Sequence, residues 1–197
     1  MRRVITERRK NKIIEVASHR QHSLHLVLEN IHDPHNVSAI FRTCDAVGIP
    51  KVSLIYNCEK FPKIGKKSSA SAFKWVEKEK YNSVNECFSK LKNEGFKIYS
   101  STLKPNSKNL FELDFTCKSA IVMGNEHRGI SDEAADEADE LFYIPMVGMV
   151  QSLNVSVAAA ITLYEAARQR YLNGMYDNSE LSDECLQLKI NEWLTKK

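Results

Sequence analysis

Residues 24–56 read LHLVLENIHDPHNVSAIFRTCDAVGIPKVSLIY, and this stretch decides the fold. An apolar strand over residues 24–30 runs into DPHN, which is typical of a turn. Apolar residues then recur at the spacing of one buried helix face: Val37, Ile40, Phe41, Cys44 and Val47. We expect Asn36 as the N-cap of this helix and Gly48 just past its end. A second apolar strand over residues 51–56 follows, so the stretch predicts an α/β fold with parallel strands.

The rest of the chain continues this alternation. Three further apolar strands are expected at FKIYSST, SAIVMG and LFYIP, and a long helix over residues 152–173 closes the core. We therefore predict a largely parallel sheet with helices on both faces, in a domain spanning residues 23–172. Residues 1–22 are expected to form a basic helical extension, and residues 173–197 a second helical extension.

Length and composition exclude several classes of protein. The chain has 197 residues and a mass of 22.5 kDa, which suits one domain with short appendages. No stretch approaches the roughly 18 uninterrupted apolar residues of a membrane helix, and no apolar region follows the basic N-terminus as in a secretory signal. Five cysteines lie without a CxxC pair, which argues against a disulfide scaffold or a zinc ribbon. We expect a soluble, cytoplasmic protein.

The net charge of +3 is unevenly distributed. Residues 1–20 carry seven lysines and arginines against two glutamates, and residues 59–80 carry seven lysines against three glutamates. Six carboxylates and no basic residue lie between residues 132 and 140. Basic segments on a near-neutral body suggest contact with nucleic-acid phosphates. The alternative from charge alone is a solvated helix face.

Several common catalytic motifs are excluded. No GxG occurs, so a dinucleotide-binding turn is not expected. Gly124 and Gly129 have the spacing of a phosphate-binding loop, but Ile130 stands where its lysine is required. Five of the six histidines lie between His19 and His35, without a convincing third or fourth ligand. We therefore expect no metal.

Three segments carry polar residues that core packing does not require. NIHDPHNVSAIFRTCDAVGI displays Arg42 opposite the apolar face of its helix, at the edge of the sheet where parallel folds bind ligands. IVMGNEHRGIS places Glu126 in a polar loop after a strand. IPMVGMVQSLNVSV brings Ser152 and Asn154 to the start of a helix, whose first N–H groups are free to bind an anion or a polar ligand.

Each segment also has a purely structural interpretation. Arg42 could form a surface ion pair with Asp45 or Glu29, and Ser152 and Asn154 could simply cap their helix. Three such loops at strand ends in one small domain favour a binding site over three separate coincidences.

In order and spacing, the three segments resemble the motifs of the SPOUT superfamily of RNA methyltransferases, in its TrmH-like (SpoU) branch. The matching features are Asn36 followed by Arg42, the stretch MGNE-x-x-G-I, and the stretch IPM-x-G-x-x-x-SLNVSVAAAI. The likeness extends along nearly the whole chain. The pattern around MVGMVQSLNVSVAA, together with both end helices, is most similar to members that act on guanosine 18 of tRNA.

The resemblance implies a deep trefoil knot in the C-terminal half of the domain, which no periodicity argument predicts. It implies an obligate homodimer that transfers a methyl group from S-adenosylmethionine to the ribose 2′-hydroxyl of guanosine 18 in the tRNA D-loop. By this resemblance Arg42 is the catalytic residue, and four side chains order it and the ribose: Asn36, Glu126, Ser152 and Asn154. The cofactor pocket is expected at four positions: Ser101, Gly124, Ile144 and Leu153.

The identity of the base is open. The ribose hydroxyl must lose a proton, but a guanidinium has a pKa above about 12 and no acceptor lone pair. In one account, Arg42 acts deprotonated in a special environment. In the other, Arg42 orients an RNA phosphate and stabilises the developing alkoxide while Glu126 or water takes the proton. We favour the second account because of the guanidinium pKa.

Basic residues of the N-terminal helix and of the lysine-rich loop are expected to contact tRNA phosphates: Arg8, Arg9, Lys12, Lys63, Lys66 and Lys67. Three alternatives stay open: methylation of the tRNA wobble nucleotide, methylation of ribosomal RNA, and a catalytically silent RNA-binding module. Ribosomal-RNA members commonly carry a separate N-terminal domain, for which the chain has no room. Wobble-position members tend to lack the end helices.

Overall fold

The computed structural model describes residues 5–63 and 72–196. In these ranges, seven strands form one sheet in the order β3-β2-β1-β6-β4-β7-β5, and every neighbouring pair runs parallel. The strands are β1 (Leu24–Glu29), β2 (Lys51–Ile55), β3 (Glu77–Tyr81), β4 (Lys97–Ser101), β5 (Lys108–Asn109), β6 (Ser119–Met123) and β7 (Glu140–Tyr143). The predicted α/β fold with a largely parallel sheet is confirmed.

The helices of the described ranges are α1 (Glu7–Ser18), α2 (Pro34–Ala46), α3 (Val84–Asn93), α4 (Asp132–Asp136), α5 (Val155–Leu172) and α6 (Asp183–Thr195). Each begins after a polar residue whose side-chain oxygen accepts a hydrogen bond from a backbone N–H of the first turn. These residues are Thr6, Asp33, Ser83, Ser131, Asn154 and Ser182. The polar residues before the apolar stretches therefore fix where the helices start.

The sheet is buried on both faces. Every residue of the two central strands, β1 and β6, is buried. Leu26 and Leu28 of β1 pack on the face covered by α2 and α5, whereas Val27 packs on the face covered by α3 and α4. This alternation is the period of two expected of a strand covered by helices on both sides.

The start of α2 differs from the sequence prediction. Asp33 is the N-cap, with its Oδ1 accepting from the His35 N–H at 2.7 Å, and Pro34 occupies the first helical position. The prediction of Asn36 as the N-cap was therefore wrong, because the Asp-Pro pair starts the helix earlier and places Asn36 inside its first turn. Gly48 follows the helix as expected, with a φ of +84°.

Two strands and one α-helix were not predicted from the sequence. The edge strand β3 reads EKEKY and is mostly exposed, so it carries no apolar pattern. The two-residue strand β5 is too short to give a signal, and α4 forms inside the acidic run after its cap Ser131. The five predicted strands and the long helix all form, although α5 begins at Val155 rather than at Ser152.

The two end helices pack against each other. Ile13 and Ala17 of α1 form a small separate cluster with Ile190 and Trp193 of α6. The Trp193 ring contacts Trp75 with 5.1 Å between ring centroids, which fixes the pair beside the start of β3. Within the part of the chain that the structure describes, no helix has the length and apolarity to cross a membrane.

A fully buried arginine joins distant parts of the chain. Arg170 of α5 has 0% exposure. It donates hydrogen bonds to the carbonyl oxygens of Ser23, Phe115 and Cys117 and to the side chains of Gln21 and Ser23. The Glu180 carboxylate lies 3.6 Å from its guanidinium. A buried guanidinium is tolerated only when its donors are all used, as they are here.

Replacing Arg170 with leucine removes all five of these hydrogen bonds. The Ser23 and Cys117 carbonyl groups keep their bonds from Ser119, whereas the buried Phe115 carbonyl loses its donor. We expect Arg170→Leu to lower the free energy of unfolding by about 3–5 kcal/mol. Urea denaturation measures this change. The matched control is Arg42→Leu, because Arg42 is exposed and makes no hydrogen bond within the described residues; its midpoint should stay unchanged. A loss below about 1 kcal/mol for Arg170→Leu would contradict the assignment.

Candidate active site

Four adjacent strands bring the polar segments together. The strands β1, β6, β4 and β7 are consecutive neighbours and run parallel, so the loops after them leave the same edge of the sheet. Residues 30–33 follow β1, residues 124–131 follow β6, and residues 144–154 follow β7. The segments singled out in the sequence therefore meet at one edge.

Glu126 is the centre of a hydrogen-bond network. Its Oε2 accepts from the His32 N–H at 3.0 Å. Its Oε1 accepts from the Asp33 N–H at 3.2 Å and from Asn36 Nδ2 at 2.9 Å. Asn36 Oδ1 accepts in turn from Asn154 Nδ2 at 3.0 Å, across 118 positions of sequence. Three of the predicted site residues are thus joined directly.

The network sets the charge state of Glu126. Burial raises the pKa of Glu126, but the hydrogen bonds from Asn36 and from the His32 and Asp33 N–H groups outweigh it, so the pKa lies below 4.5. A carboxylate with a lowered pKa is a weak proton acceptor. The arrangement suits a residue that orders its neighbours better than one that takes a proton.

The start of α5 is fixed from the same side. Asn154 Oδ1 accepts from the N–H of Ser156 at 2.9 Å and from its hydroxyl at 2.6 Å, so Asn154 caps the helix. Its Nδ2 is left free to reach Asn36. Asn154 therefore caps α5 and also bonds to Asn36 of the Glu126 network. Ser152 is exposed and lines a cavity together with Glu126.

Arg42 lies outside this network. It is exposed on α2, and its guanidinium makes no hydrogen bond or ion pair within residues 5–63 and 72–196. The two alternative ion-pair partners are engaged elsewhere, since Asp45 pairs with Arg20 and Glu29 accepts from the Ser131 N–H. Arg42 is therefore presented to solvent with its donors unused by the residues that the structure describes.

A cavity of about 380 Å³ opens beside the network, a size within the range of small-ligand sites. All four positions expected for the cofactor line it: Ser101, Gly124, Ile144 and Leu153. Its walls are mixed, with apolar surface from Leu103, Met146 and Ala158 and polar groups from Thr102 and Gln151.

The backbone at Gly124 leaves no room for a side chain. A Cβ at this position would lie 2.2 Å from the Gly129 carbonyl carbon and from the Ile130 nitrogen. In the loop after β6, the main chain at Gly124 therefore packs directly against the main chain of Gly129 and Ile130. No group of His, Cys, Asp or Glu side chains in the described ranges is arranged to hold a metal.

The residues predicted to bind RNA lie elsewhere on the surface. Arg8, Arg9 and Lys12 are exposed on α1, where Arg9 donates to the Lys196 carbonyl at 2.9 Å and Lys12 pairs with Glu15 at 3.2 Å. Lys63 is exposed. The two remaining positions, Lys66 and Lys67, lie outside the described residues.

Asn125, a further residue at this edge, was not predicted as part of the site. Asn125 precedes Glu126, and its Oδ1 accepts from the N–H groups of His127 and Arg128 at 3.0 and 3.2 Å. Its Nδ2 donates to the Asn30 carbonyl at 2.7 Å. The signal was the asparagine of MGNE, a residue type that commonly bonds to the backbone two positions on.

The model of the SpoU rRNA Methylase family matches residues 23–164 of this chain. The chain belongs to this family. It is 44% identical over 191 residues to a Thermus thermophilus protein named tRNA (guanosine(18)-2'-O)-methyltransferase, covering 97% of this chain and 98% of that one. The superfamily and branch expected from the motifs are confirmed.

Solved structures agree with this membership. The crystal structure of the Aquifex aeolicus TrmH/SpoU tRNA modifying enzyme matches with a TM-score of 0.89 and 41% identity over 95% of both chains. The SpoU methyltransferase AviRb from Streptomyces viridochromogenes, in complex with AdoMet, matches with a TM-score of 0.67 over 78% of this chain and 59% of that one. At 23% identity, this second likeness concerns the fold alone.

Changing Glu126 to glutamine should loosen the chain before α2, because an amide NH₂ cannot accept the N–H bonds that Glu126 now accepts. The folded-state pKa of Glu126 is lowered, so its stabilising contribution is complete above the unfolded pKa, near 4.5, and is lost as the pH falls through the folded pKa. We therefore expect the unfolding free-energy difference between wild type and Glu126→Gln to be full at pH 7 and to shrink below pH 4.5.

Urea denaturation across this pH range measures the difference. The control is Glu112→Gln, since Glu112 is exposed and its carboxylate makes no hydrogen bond within the described residues. A difference for Glu126→Gln that stays constant with pH would contradict the assigned hydrogen bonds.

Proposed function

We propose that the chain transfers a methyl group from S-adenosylmethionine to the ribose 2′-hydroxyl of guanosine 18 in the D-loop of tRNA. The observation that carries the proposal is the Asn36–Glu126–Asn154 network at the rim of a ligand-sized cavity. Near full-length similarity to the Thermus thermophilus enzyme supports the position methylated.

The cavity residues fit the cofactor. Ile144 and Leu153 offer apolar surface to an adenine ring, and the hydroxyl of Ser101 and the main chain at Gly124 offer hydrogen bonds. When bound, the sulfonium supplies a methyl group that is already strongly electrophilic, so the protein's task is to place the ribose oxygen in line with it. Ser152 and Glu126 line the same cavity, which puts polar groups where the ribose must approach.

Arg42 is proposed to bind an RNA phosphate and to stabilise the alkoxide that develops on the ribose. Its exposure and its unused donors support this role. This role leaves two candidate proton acceptors, water and Glu126. Water is favoured, because the hydrogen bonds to Glu126 lower its pKa and make it a weak base. Asn36, Glu126 and Asn154 then act by holding the start of α2, and with it Arg42, in place.

We also propose that tRNA phosphates bind along α1. Arg8, Arg9 and Lys12 are exposed there, and Lys63 is exposed after β2. Long basic side chains on an exposed helix are suited to a phosphate backbone, whose contacts position the substrate without reading its sequence. A tRNA substrate places the enzyme in the cytoplasm.

A knot is proposed from the route of the chain. In the sheet, β4 and β6 lie between β7 and β1. The helix that follows the loop after β7, α5, nevertheless packs against α2, on the sheet face that Leu26 and Leu28 of β1 share. The chain therefore returns across the edge where residues 124–131 lie. This route, with the likeness to the Aquifex aeolicus enzyme, supports a trefoil knot in the C-terminal half.

A homodimer is proposed from exposed apolar side chains. Val157, Tyr164 and Tyr171 recur every seven residues along α5 and are 45%, 58% and 64% exposed. Val147 and Met149, in the loop before α5, are fully exposed. Exposed apolar side chains along one face of a helix are typical of an interface, and such a face can pack against the same face of a second copy.

The alternative functions differ in what they predict. Methylation of the tRNA wobble nucleotide or of ribosomal RNA would keep the cofactor chemistry and move the target. A silent RNA-binding module gives no reason for a polar network beside a ligand-sized cavity. The match over 98% of the Thermus thermophilus enzyme favours guanosine 18.

Labelled S-adenosylmethionine and unmodified tRNA transcripts test the proposal directly. We expect label at the ribose of guanosine 18, and none in a matched transcript whose guanosine 18 carries a 2′-deoxyribose. Label at another nucleotide would contradict the assigned position. No label on any RNA, with cofactor binding retained in calorimetry, would favour the silent module.

Arg42→Ala should lower kcat roughly 100-fold or more, because a donor to the developing charge is lost. Cofactor affinity should change less than about twofold, since Arg42 does not line the cavity. Arg42→Lys should recover part of the rate, because it keeps the charge and loses the two-pronged geometry. Unchanged kcat in Arg42→Ala would exclude the proposed role.

Tyr164→Glu should separate the proposed dimer, because a buried unpaired carboxylate opposes association. Sedimentation equilibrium measures the mass. The control is Leu188→Glu, since Leu188 on α6 is similarly exposed, at 65%, and lies away from α5. A Tyr164→Glu protein with the mass of two chains would contradict this interface.

A further inference from the structure

Asn30, at the end of β1, has an unusual backbone. Its φ is +52°, and in the described ranges it is the one residue other than glycine with a positive φ. Asn30 is also buried, at 6% exposure. Residues that carry a side chain rarely adopt this left-handed backbone conformation, although asparagine tolerates it better than most. Strained backbone persists where the surroundings hold it, and it is concentrated at functional sites.

All hydrogen bonds of the Asn30 side chain go to another loop. Its Nδ2 donates to Asn57 Oδ1 at 2.8 Å. Its Oδ1 accepts from the N–H groups of Cys58 and Glu59, both at 3.2 Å. An asparagine that merely forms a turn bonds to its own neighbouring backbone. Asn30 instead fixes residues 57–59, which follow β2.

The main chain of Asn30 reaches a third loop. Its carbonyl accepts from Asn125 Nδ2 at 2.7 Å, and Asn125 Oδ1 holds the N–H groups of His127 and Arg128. Glu126 lies between these anchored positions. The left-handed turn at Asn30 therefore faces two ways, with its side chain toward the loop after β2 and its carbonyl toward the loop after β6.

Further side-chain contacts connect the same three loops. The Glu59 carboxylate lies 2.9 Å from Arg128 and 3.5 Å from His32. Tyr56 donates its hydroxyl to the Ile31 carbonyl at 2.9 Å. The loop after β2 thus contacts both segments that Glu126 joins.

We infer that Asn30 is a positioning residue for methyl transfer. By fixing residues 57–59 and Asn125 at once, it sets the orientation in which Glu126 holds Asn36 and the start of α2. The expected effect on the reaction rate rests on the proposed function. The expected effect on the structure, that Asn30 holds three loops in one arrangement, does not depend on the proposed function.

Three variants separate the roles of backbone and side chain. Asn30→Gly keeps the positive φ and removes every side-chain bond. Asn30→Asp keeps an oxygen for the Cys58 and Glu59 N–H groups and loses the donor to Asn57. The matched control is Asn173→Gly, at the far end of α5, where the exposed Asn173 ends the helix.

We expect Asn30→Gly to lower kcat roughly 10- to 100-fold with cofactor affinity within about twofold, because the reacting groups are misplaced rather than lost. Asn30→Asp should recover most of the rate, and Asn173→Gly should match wild type. Amide hydrogen exchange should quicken at His127 and Arg128 in Asn30→Gly. These amides lie almost one hundred positions away in sequence, and they bond to Asn125 rather than to Asn30.

Two results would overturn the inference: wild-type kcat in Asn30→Gly, or unchanged exchange at His127 and Arg128. A fall in kcat that follows the melting temperature equally in Asn30→Gly and Asn30→Asp would also overturn it, since it would indicate a purely structural role. If the wild-type protein transfers no methyl group to tRNA, the proposed function fails. The exchange measurement still decides the positioning role in that case.

Discussion

The two oxygens of one carboxylate hold the site together. Glu126 accepts three hydrogen bonds from the segment between β1 and the first turn of α2, and through Asn36 it is connected to the start of α5. These segments come from three separate parts of the chain. A parallel sheet brings them to one edge but does not fix their loops, so the carboxylate supplies what strand order alone cannot. Its lowered pKa keeps it charged, and so able to accept, throughout the neutral range.

The site therefore combines a fixed part with an exposed part. The asparagines and Glu126 are tied to one another, whereas Arg42 and Ser152 are presented to solvent on the same elements. A rigid frame of this kind limits the conformational entropy that is lost when substrate binds. The cavity beside it combines close backbone packing at Gly124 with the charged side chains of Glu126 and Arg128 in its lining.

The sequence predicted most of the fold, because the apolar runs of β1 and β2 and the apolar periodicity of α2 are strong. It failed at β3, whose charged residues form an edge strand through backbone pairing with β2 that no side-chain pattern announces. It also misplaced the start of α2, where Asp33 and Pro34 outweigh Asn36. The motifs named Asn36, Glu126 and Asn154, but spacing alone cannot show that residues 118 positions apart share a hydrogen bond. Asn30 stayed hidden because its backbone conformation depends on loops that fold around it.

The buried Arg170 has a consequence for how the protein is made. Its acceptors at Ser23, Phe115 and Cys117 leave the ribosome before Arg170 does, and the Glu180 carboxylate comes later still. Until then the central strands can pair, and Ser119 already donates to the Ser23 and Cys117 carbonyl groups. The Phe115 carbonyl accepts from Arg170 Nε, so it must stay hydrated until that side chain arrives. Complete burial of this region therefore requires Arg170, at position 170 of 197, to have left the ribosome, which makes it a late event of folding during synthesis.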